Sequence, residues 1–161
     1  MRNKILALVL ACIIGASCVG GTEMLALAKE GEIIEENLDF SYFTVENSLF
    51  GYTNMQTRGV YLACGDAAIS KISSYKIGAT GETTAATRCD VSLTVIVERY
   101  NMETDRWGFI TSWTAEKENA FYVAISKSLV VDSGYYYRVR CLHYAGSDAS
   151  SSCTNALYVG N

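Results

Sequence analysis

The sequence predicts a single all-β domain, an antiparallel β-sandwich, behind an export signal and an acidic leader. From Arg58 onward apolar residues recur at every second position, which is the period of a half-buried strand. Clusters of Gly, Asn, Asp and Ser separate about seven such runs, as in sandwich domains. A helical domain is disfavoured, because the only good helical pattern lies in the N-terminal apolar segment.

The first element is a predicted secretory signal peptide, residues 1–28. Arg2 and Lys4 precede the uncharged apolar run Ile5–Gly21, and small residues stand three positions and one position before the polar stretch that starts at Lys29. This layout is typical of signal peptides. We therefore predict cleavage near Ala28–Lys29 and an extracellular mature protein.

Two alternatives stay open for this segment. An uncleaved membrane anchor is one, since the apolar run approaches the lower length limit for crossing a bilayer. A lipidated Cys18 is a lesser one, because Gly15 lies where a bulky aliphatic residue is expected. No later segment is long and apolar enough to span a bilayer, so we expect no membrane span after cleavage.

The mature chain carries its negative charge at one end. Residues 29–57, the leader, hold six acidic residues against Lys29 alone, whereas residues 58–161 hold ten acidic and ten basic residues. The leader lacks clear periodicity, and we expect it to be mobile or loosely docked, although its aromatic residues leave a docked edge strand open. The neutral domain has no basic stripe, which argues against nucleic acid as a partner.

The strands of the predicted domain follow from the alternation of apolar and polar residues. Residues 89–100 place valines and Leu93 on one face and polar side chains on the other, and Asn101–Asp105 forms a hairpin turn. The other predicted elements are short strands at 60–65, 67–73, 75–80 and 83–88, a strand at 106–113, a solvated turn at 114–119, a strand at 120–131, a turn at 132–134, a tyrosine strand at 135–144, a turn at 145–151 and a last strand at 153–159.

Four cysteines, Cys64, Cys89, Cys141 and Cys153, stay in the mature chain, an even number in an exported protein. We therefore favour disulfides. A hairpin centred on Ser147 would set Cys141 opposite Cys153 and leave Cys64 to pair with Cys89. All four fall on inward phases, so the other two pairings stay open. A zinc site is disfavoured, since no C-x-x-C pair occurs and the chain has one histidine.

The aromatic and cationic residues of the tyrosine strand are the candidate ligand-binding group. Four of them share one phase, so an outward face would display two rings around two guanidiniums. Such a row suits stacking on sugars, binding a carboxylate or contacting a protein. The simpler interpretation is a solvent-facing strand whose arginine stems pack on tyrosine rings. The candidates are Tyr136, Arg138, Arg140 and Tyr144, with Trp113 of the preceding strand as a further ring.

Both tryptophans lie on one predicted strand. Trp107 and Trp113 alternate with Phe109 and so share a phase. We therefore expect at least one of the two indoles to belong to the core.

Several motifs resemble a family of small secreted proteins from Firmicutes that is catalogued only as a domain of unknown function. The shared pattern is G-x-T-x-A, a hydrophobic strand ending in an E-R pair, a tryptophan strand and a closing G-x-Y-Y-R-V-x-x-x-H strand. The resemblance implies a secreted, β-rich protein of Gram-positive bacteria and no catalytic residues. The closing strand is also similar to a late strand of fibronectin type III and immunoglobulin-like sandwiches. The matching positions are Gly81, Thr83, Ala85, Glu98, Arg99, Trp107, Gly134, Tyr136, Tyr137, Arg138, Val139 and His143.

Catalytic and metal chemistry find little support in the sequence. His143 shares the phase of Tyr137, Val139 and Cys141, so a buried, hydrogen-bonded structural histidine is favoured. A serine hydrolase would need a nucleophile elbow, and no G-x-S-x-G occurs. Carboxylates that meet across strands keep a glycoside hydrolase open as a distant option. Residues 114–119 match no calcium-loop spacing, so we expect no metal and no cofactor.

The resulting prediction is a secreted or surface-associated, non-catalytic binding module whose ligand is a glycan or a protein. The first alternative is a secreted effector, such as a small toxin or bacteriocin-like protein, and a small hydrolase is a remote one. The sequence leaves the oligomeric state open.

Overall fold

A computed structural model describes residues 47–53 and 59–161, and every regular element in them is a β-strand. The predicted signal peptide, its cleavage site and most of the leader lie outside the described residues. The described residues hold no helix that is long and apolar enough to cross a membrane. The strands are β1 (Ser48–Tyr52), β2 (Leu62–Ser73), β3 (Lys76–Asn101), β4 (Arg106–Val130), β5 (Tyr135–Ala145), β6 (Asp148–Cys153) and β7 (Leu157–Val159).

The seven strands form one antiparallel sheet in the order β1-β2-β3-β5-β6, with β4 on the other edge of β3 and β7 paired to β5. The first half of β3 pairs with β2 and the second half pairs with β5, while β4 follows β3 along both halves. We call β1, β2 and the adjoining halves of β3 and β4 the first half-sheet. The second half-sheet holds the other halves of β3 and β4 with β5, β6 and β7.

The two half-sheets fold face to face, which makes the sheet nearly barrel-shaped. A side chain added at Gly81 in the first half-sheet would lie 2.6 Å from Cys141 Sγ and 2.9 Å from Val95 Cγ2 of the second. Glycine is therefore needed there for close packing. The all-β antiparallel class is confirmed. The largest fully buried apolar side chains of the core are Ile69, Ile77, Val91, Leu93, Val95, Val97, Val123, Tyr137, Val139 and Val159.

β3 and β4 are long because each unites segments that the sequence pattern separates. Residues 114–119, predicted as a solvated turn, lie inside β4, where Thr114 pairs with Thr94 and Lys117 with Val91. The prediction of a turn is therefore wrong. It arose because the outward positions of this stretch are polar, as the residues of a loop are. The pairing with β3 is irregular at the end of this stretch, at Asn119 (φ 48°), where β4 bends and the Asn119 N–H donates to Asp90 Oδ1 at 3.1 Å.

The turns around β5 fall close to their predicted places. Gly134, with φ 89°, lies in the turn between β4 and β5, and the hairpin from β5 to β6 has the two-residue loop Gly146–Ser147, with φ 53° at Gly146. Two-residue hairpin loops favour glycine at such a position, because it adopts positive φ without steric cost. The loop is shorter than the predicted turn at 145–151, which changes the register of the strands it joins.

That register corrects the cysteine prediction. Cys141 pairs with Ser152, and Cys153 pairs with Arg140, so Cys141 points into the core and Cys153 points outward. A shift of one residue moves a side chain to the other face of a sheet. No two of the four cysteines in the described residues form a disulfide. Cys64 and Cys89 likewise have other cross-strand partners, Thr84 and Ala120.

Candidate binding surface

The outward face of β5 displays the four candidate residues that the sequence predicts to share a phase. Tyr137, Val139 and Cys141 are buried at 1% exposure or less. The alternate positions point away from the core: Tyr136 and Tyr144 are exposed, and the two arginines are half-buried. The predicted division of this strand into a core side and an outward side is confirmed.

Glu98 of β3 lies between the two arginines and holds them in place. It is the cross-strand partner of Arg138, whose Nε donates to Glu98 Oε2 at 2.7 Å. Arg140 donates to the other carboxylate oxygen, Oε1, through Nη2 at 3.1 Å and Nε at 3.3 Å. Each carboxylate oxygen of Glu98 thus serves one guanidinium, and the three side chains form one charged cluster.

The two arginines also determine the charge state of Glu98. Burial alone raises the pKa of this carboxyl group, but the hydrogen bonds and charges of Arg138 and Arg140 outweigh burial, and the pKa ends below its usual value. Glu98 is therefore ionised at neutral pH. Two guanidiniums and one carboxylate leave the cluster with a net charge of about +1.

Aromatic rings extend this cluster across the surface. The guanidinium carbon of Arg138 lies 4.2 Å from the centre of the Trp107 ring, a cation–π contact. The ring centres of Tyr136 and Tyr158 of β7 are 5.2 Å apart, and the two rings are tilted by 56°. The ring centres of Tyr100 and Trp107 are 5.3 Å apart, and these rings are tilted by 54°. We call the set Tyr136, Arg138, Arg140, Tyr144, Glu98, Trp107 and Tyr158 the tyrosine–arginine face.

A bulge in β4 decides which tryptophan joins this face. Val97 pairs with Thr111 but Glu98 pairs with Phe109, so Ile110 is an extra residue in β4. The prediction that both tryptophans share a phase is therefore wrong. Trp107 lies on the outward side, beside Arg138.

Trp113, a predicted member of the candidate ligand-binding group, lies on the core side of β4. It pairs with Val95, and its half-buried ring packs against the hydrophobic core. One edge of it also lines a shallow groove at the bend of β4, together with Ala115 and Lys127. The sequence-based assignment of Trp113 to the tyrosine–arginine face is corrected.

Three members of the face were not singled out from the sequence as binding residues. The alternation of residues 89–100 places Glu98 on the outward side, but its position opposite Arg138 depends on strand order and register. The contribution of Trp107 depends on the bulge. Tyr158 reaches Tyr136 because β7 pairs with the start of β5, where Tyr136 and Tyr158 are cross-strand partners.

The histidine and three of the described cysteines lack the features of reactive centres. His143 is fully buried, with Nδ1 at 2.9 Å from Thr83 Oγ1 and Nε2 at 2.8 Å from Ser152 Oγ, so its predicted burial and hydrogen bonding are confirmed. Burial lowers its pKa to about 4. Burial also raises the pKa of the Cys141 thiol, and the pKa of Cys89 and Cys153 is raised as well, so none of these is an activated thiolate at neutral pH.

Metal chemistry also finds no assembled site in the part of the chain that the structure describes. No cluster there brings together three His, Cys, Asp or Glu side chains that could hold a metal ion. The tyrosine–arginine face contributes only Glu98, whose two oxygens already serve the two arginines. For contact with a partner, the face offers aromatic rings, phenol groups and guanidinium N–H donors.

Comparison with known proteins agrees with the resemblance that the motifs indicate. The model of a family described as a family of unknown function (DUF6147) matches residues 27–159, which is most of the chain. No curated protein matches the chain.

Proposed function

The chain belongs to the DUF6147 family, and we propose that it is a non-catalytic binding module that recognises a protein partner through the tyrosine–arginine face. The observation that carries the proposal is the Glu98 cluster. Its hydrogen bonds hold two arginines in fixed positions among exposed rings, on strands rather than on loops. Binding surfaces built on rigid elements lose less conformational entropy when they bind.

The composition of the face supports a protein partner. Tyrosine, tryptophan and arginine are the residue types that dominate the binding energy of protein interfaces. Tyr136 is 38% exposed, Tyr144 47% and Tyr158 42%, so their rings have area left to bury. Phe109, the neighbour of Trp107 on the outward side of β4, is 66% exposed and extends the apolar area.

The ring geometry supports a protein more than a glycan. Sugar stacking favours a flat, open aromatic face, but one face of Trp107 is covered by the Arg138 guanidinium. The pairs Tyr136–Tyr158 and Tyr100–Trp107 are each tilted by more than 50°. Rings at such angles make a rough surface, which suits the irregular relief of a protein. The net positive charge of the arginine cluster favours a partner that offers a carboxylate.

The location of the partner follows from the predicted signal peptide. If residues 1–28 are removed during export, the module meets its partner outside the cell or at the cell surface, as proposed from the layout of the N-terminus. A protein fraction secreted by the source cells is therefore the appropriate probe.

A binding experiment tests this proposal. The mature chain, residues 29–161, is immobilised and exposed to the secreted protein fraction and, separately, to a polysaccharide array. The test variant is Tyr136→Ala/Arg138→Ala/Tyr144→Ala. The matched control is Tyr75→Ala/Lys127→Ala, which removes an exposed tyrosine and an exposed cation from outside the face.

We expect a protein that binds the wild type and the control alike and binds the test variant at least about tenfold more weakly, as loss of an interface centre implies. Circular dichroism verifies that the variants are folded. Equal binding by test variant and control would reject the face as the site. Binding of a polysaccharide alone, with the same dependence on the three residues, would replace the protein partner with a glycan.

A further inference from the structure

The first half-sheet has a second polar surface, on the side that faces away from the core. Cross-strand pairing places Ser70 and Asp66 of β2, Thr80 and Glu82 of β3, and Tyr122 and Ser126 of β4 on this side, because their neighbours along each strand, such as Ile69, Ala79 and Val123, point into the core. We call these six residues the outer polar face. The small residues Ala68, Gly78 and Ala124 lie among them.

Most of the outer polar face is buried, whereas most outward positions of the second half-sheet are half-buried or exposed. Ser70 is 0% exposed, Thr80 2% and Asp66 4%. Equivalent outward positions on the other half of β4, such as Thr114 and Glu116, are exposed. Within residues 47–53 and 59–161, the contacts between half-sheets run through the core side, as between Gly65 and His143. The described strands therefore do not account for this burial.

Two hydroxyl groups on this face still need hydrogen-bond partners. The side-chain oxygens of Ser70 and Thr80 are buried and have no partner among the described groups. Buried hydroxyl groups in proteins are nearly always hydrogen-bonded, because an unpaired one loses its hydrogen bonds to water without replacement. A backbone that lies along this face would supply both donors and acceptors.

We propose that the outer polar face is the docking surface for leader residues 37–46 of the same chain. These ten residues, which lie outside the described part of the chain, would form a further layer on the first half-sheet, opposite the core. The inference is independent of the tyrosine–arginine face, which belongs to the other half-sheet.

The point at which the described chain begins favours this occupant. Lys71 N–H donates to the Asn47 carbonyl oxygen at 2.9 Å, and Asn47 Nδ2 donates back to the Lys71 carbonyl oxygen at 3.3 Å. Ser48 is the cross-strand partner of Ser70 itself. The leader therefore joins the sheet beside the outer polar face. Ten extended residues span about 33 Å, whereas four strands span only about 15 Å.

The composition of the leader fits the relief of the face. Residues 37–46 carry five large apolar side chains, and because Ala68, Gly78 and Ala124 are small, they would leave a trough in which such side chains can be buried. Within this stretch the acidic residues are Asp39 and Glu46, fewer than in residues 29–36. The family match also begins at residue 27, so the leader belongs to the unit that the family shares. The apolar residues are Leu38, Phe40, Tyr42, Phe43 and Val45.

Amide hydrogen exchange of the mature chain tests the docking. In the wild type we expect the amides of residues 37–46 to exchange at least about tenfold more slowly than in an unstructured peptide. Two variants remove the contact from opposite sides: Phe40→Ser/Phe43→Ser changes the leader, and Thr80→Arg fills the trough. Each is expected to release the protection of residues 37–46 while the amides of β5 stay protected. The control Thr114→Arg, on the exposed side of the other half-sheet, is expected to change neither.

Three results would overturn the proposal. One is unprotected exchange of residues 37–46 in the wild type. Another is protection that persists in Phe40→Ser/Phe43→Ser, which decides the matter if Thr80→Arg fails to fold. The third is protection that disappears at low protein concentration together with a change in sedimentation, because a second copy of the chain, rather than the chain's own leader, would then cover the face.

Discussion

Glu82 and Glu98 lie on the same strand, β3, and on the same outward phase, and they differ in how their burial is tolerated. Glu98 is 8% exposed and Glu82 7%. In the second half-sheet, Arg138 and Arg140 keep Glu98 ionised. In the first half-sheet, burial raises the pKa of Glu82 to about 7, and a hydrogen bond with Tyr122 only partly opposes that rise.

The difference concerns how each surface accommodates a buried carboxyl group. A carboxylate neutralised by two arginines leaves a charged cluster that stays stable beside water and offers N–H donors to a partner. A carboxyl group whose pKa is raised by burial, with the Tyr122 phenol as its hydrogen-bond partner, can hold a proton near neutral pH instead of carrying a buried charge. The difference supports the two proposals, an external partner at the tyrosine–arginine face and the leader as a cover over the outer polar face.

The largest loss of stability is expected when Glu98, the carboxylate that both arginines bind, is removed. Glu98→Ala leaves two guanidiniums close together on one side of the sheet with no carboxylate between them. We expect a loss of about 2–3 kcal/mol in the free energy of unfolding at pH 7, measured by urea denaturation; the partial exposure of both arginines keeps the cost below that of a fully buried ion pair.

A neighbouring glutamate on the same side of the second half-sheet provides the control. Glu116→Ala removes an exposed carboxylate that faces outward opposite Ser92, and we expect it to change the free energy of unfolding by less than about 0.5 kcal/mol. Equal losses for the two variants would show that the Glu98 cluster does not organise this surface.

A smaller change in stability, one that depends on pH, is expected when Glu82 is replaced. Its folded pKa of about 7 lies above the ordinary value of 4.5, so the folded state binds more protons between these pH values and its stability falls as pH rises through them. Glu82→Gln removes this loss of stability with rising pH, because glutamine does not titrate. Between pH 5 and pH 8, the free energy of unfolding of the variant is expected to rise by about 2 kcal/mol relative to that of the wild type.

The comparison with the wild type is essential because His143 titrates in the opposite sense. Its folded pKa of about 4 lies below the ordinary 6.5, so its contribution to stability is lost as pH falls from 6.5 toward 4. The two expected slopes therefore oppose each other where the ranges overlap, between pH 4.5 and pH 6.5. Urea denaturation at several pH values isolates Glu82 as the difference between variant and wild type. A difference that does not vary with pH would show that Glu82 is ionised in the folded protein.

The contrast between the half-sheets also shows which features a sequence can reveal. The alternation of β5 is local, so the core positions Tyr137, Val139 and Cys141 follow from their spacing alone. The buried His143 follows in the same way, because it continues that phase. Period-two patterns persist wherever a strand has one apolar side.

Features that depend on a single extra residue escape such an argument. The bulge at Ile110 separates Trp107 from Trp113, and the two-residue loop Gly146–Ser147, in place of a longer turn centred on Ser147, turns Cys153 away from Cys141. Both are properties of pairing between strands, which local spacing does not encode. The outer polar face was missed for a related reason: hydroxyl and carboxyl groups at alternate positions predict exposure, and their burial depends on what lies over the sheet.

The smallest effect concerns the contact between Arg138 and Trp107. Arg138→Lys keeps a positive charge near Glu98 but removes the planar guanidinium that lies over the indole. We expect a loss of about 0.5–1 kcal/mol in the free energy of unfolding and a change in the fluorescence of Trp107, recorded in a Trp113→Phe background so that one indole reports. Arg140→Lys is the matched control, since Arg140 binds the same carboxylate without stacking on Trp107. Because only Arg138 contacts both groups, an identical fluorescence change in the two variants would mean that the indole senses Glu98 rather than the guanidinium above it.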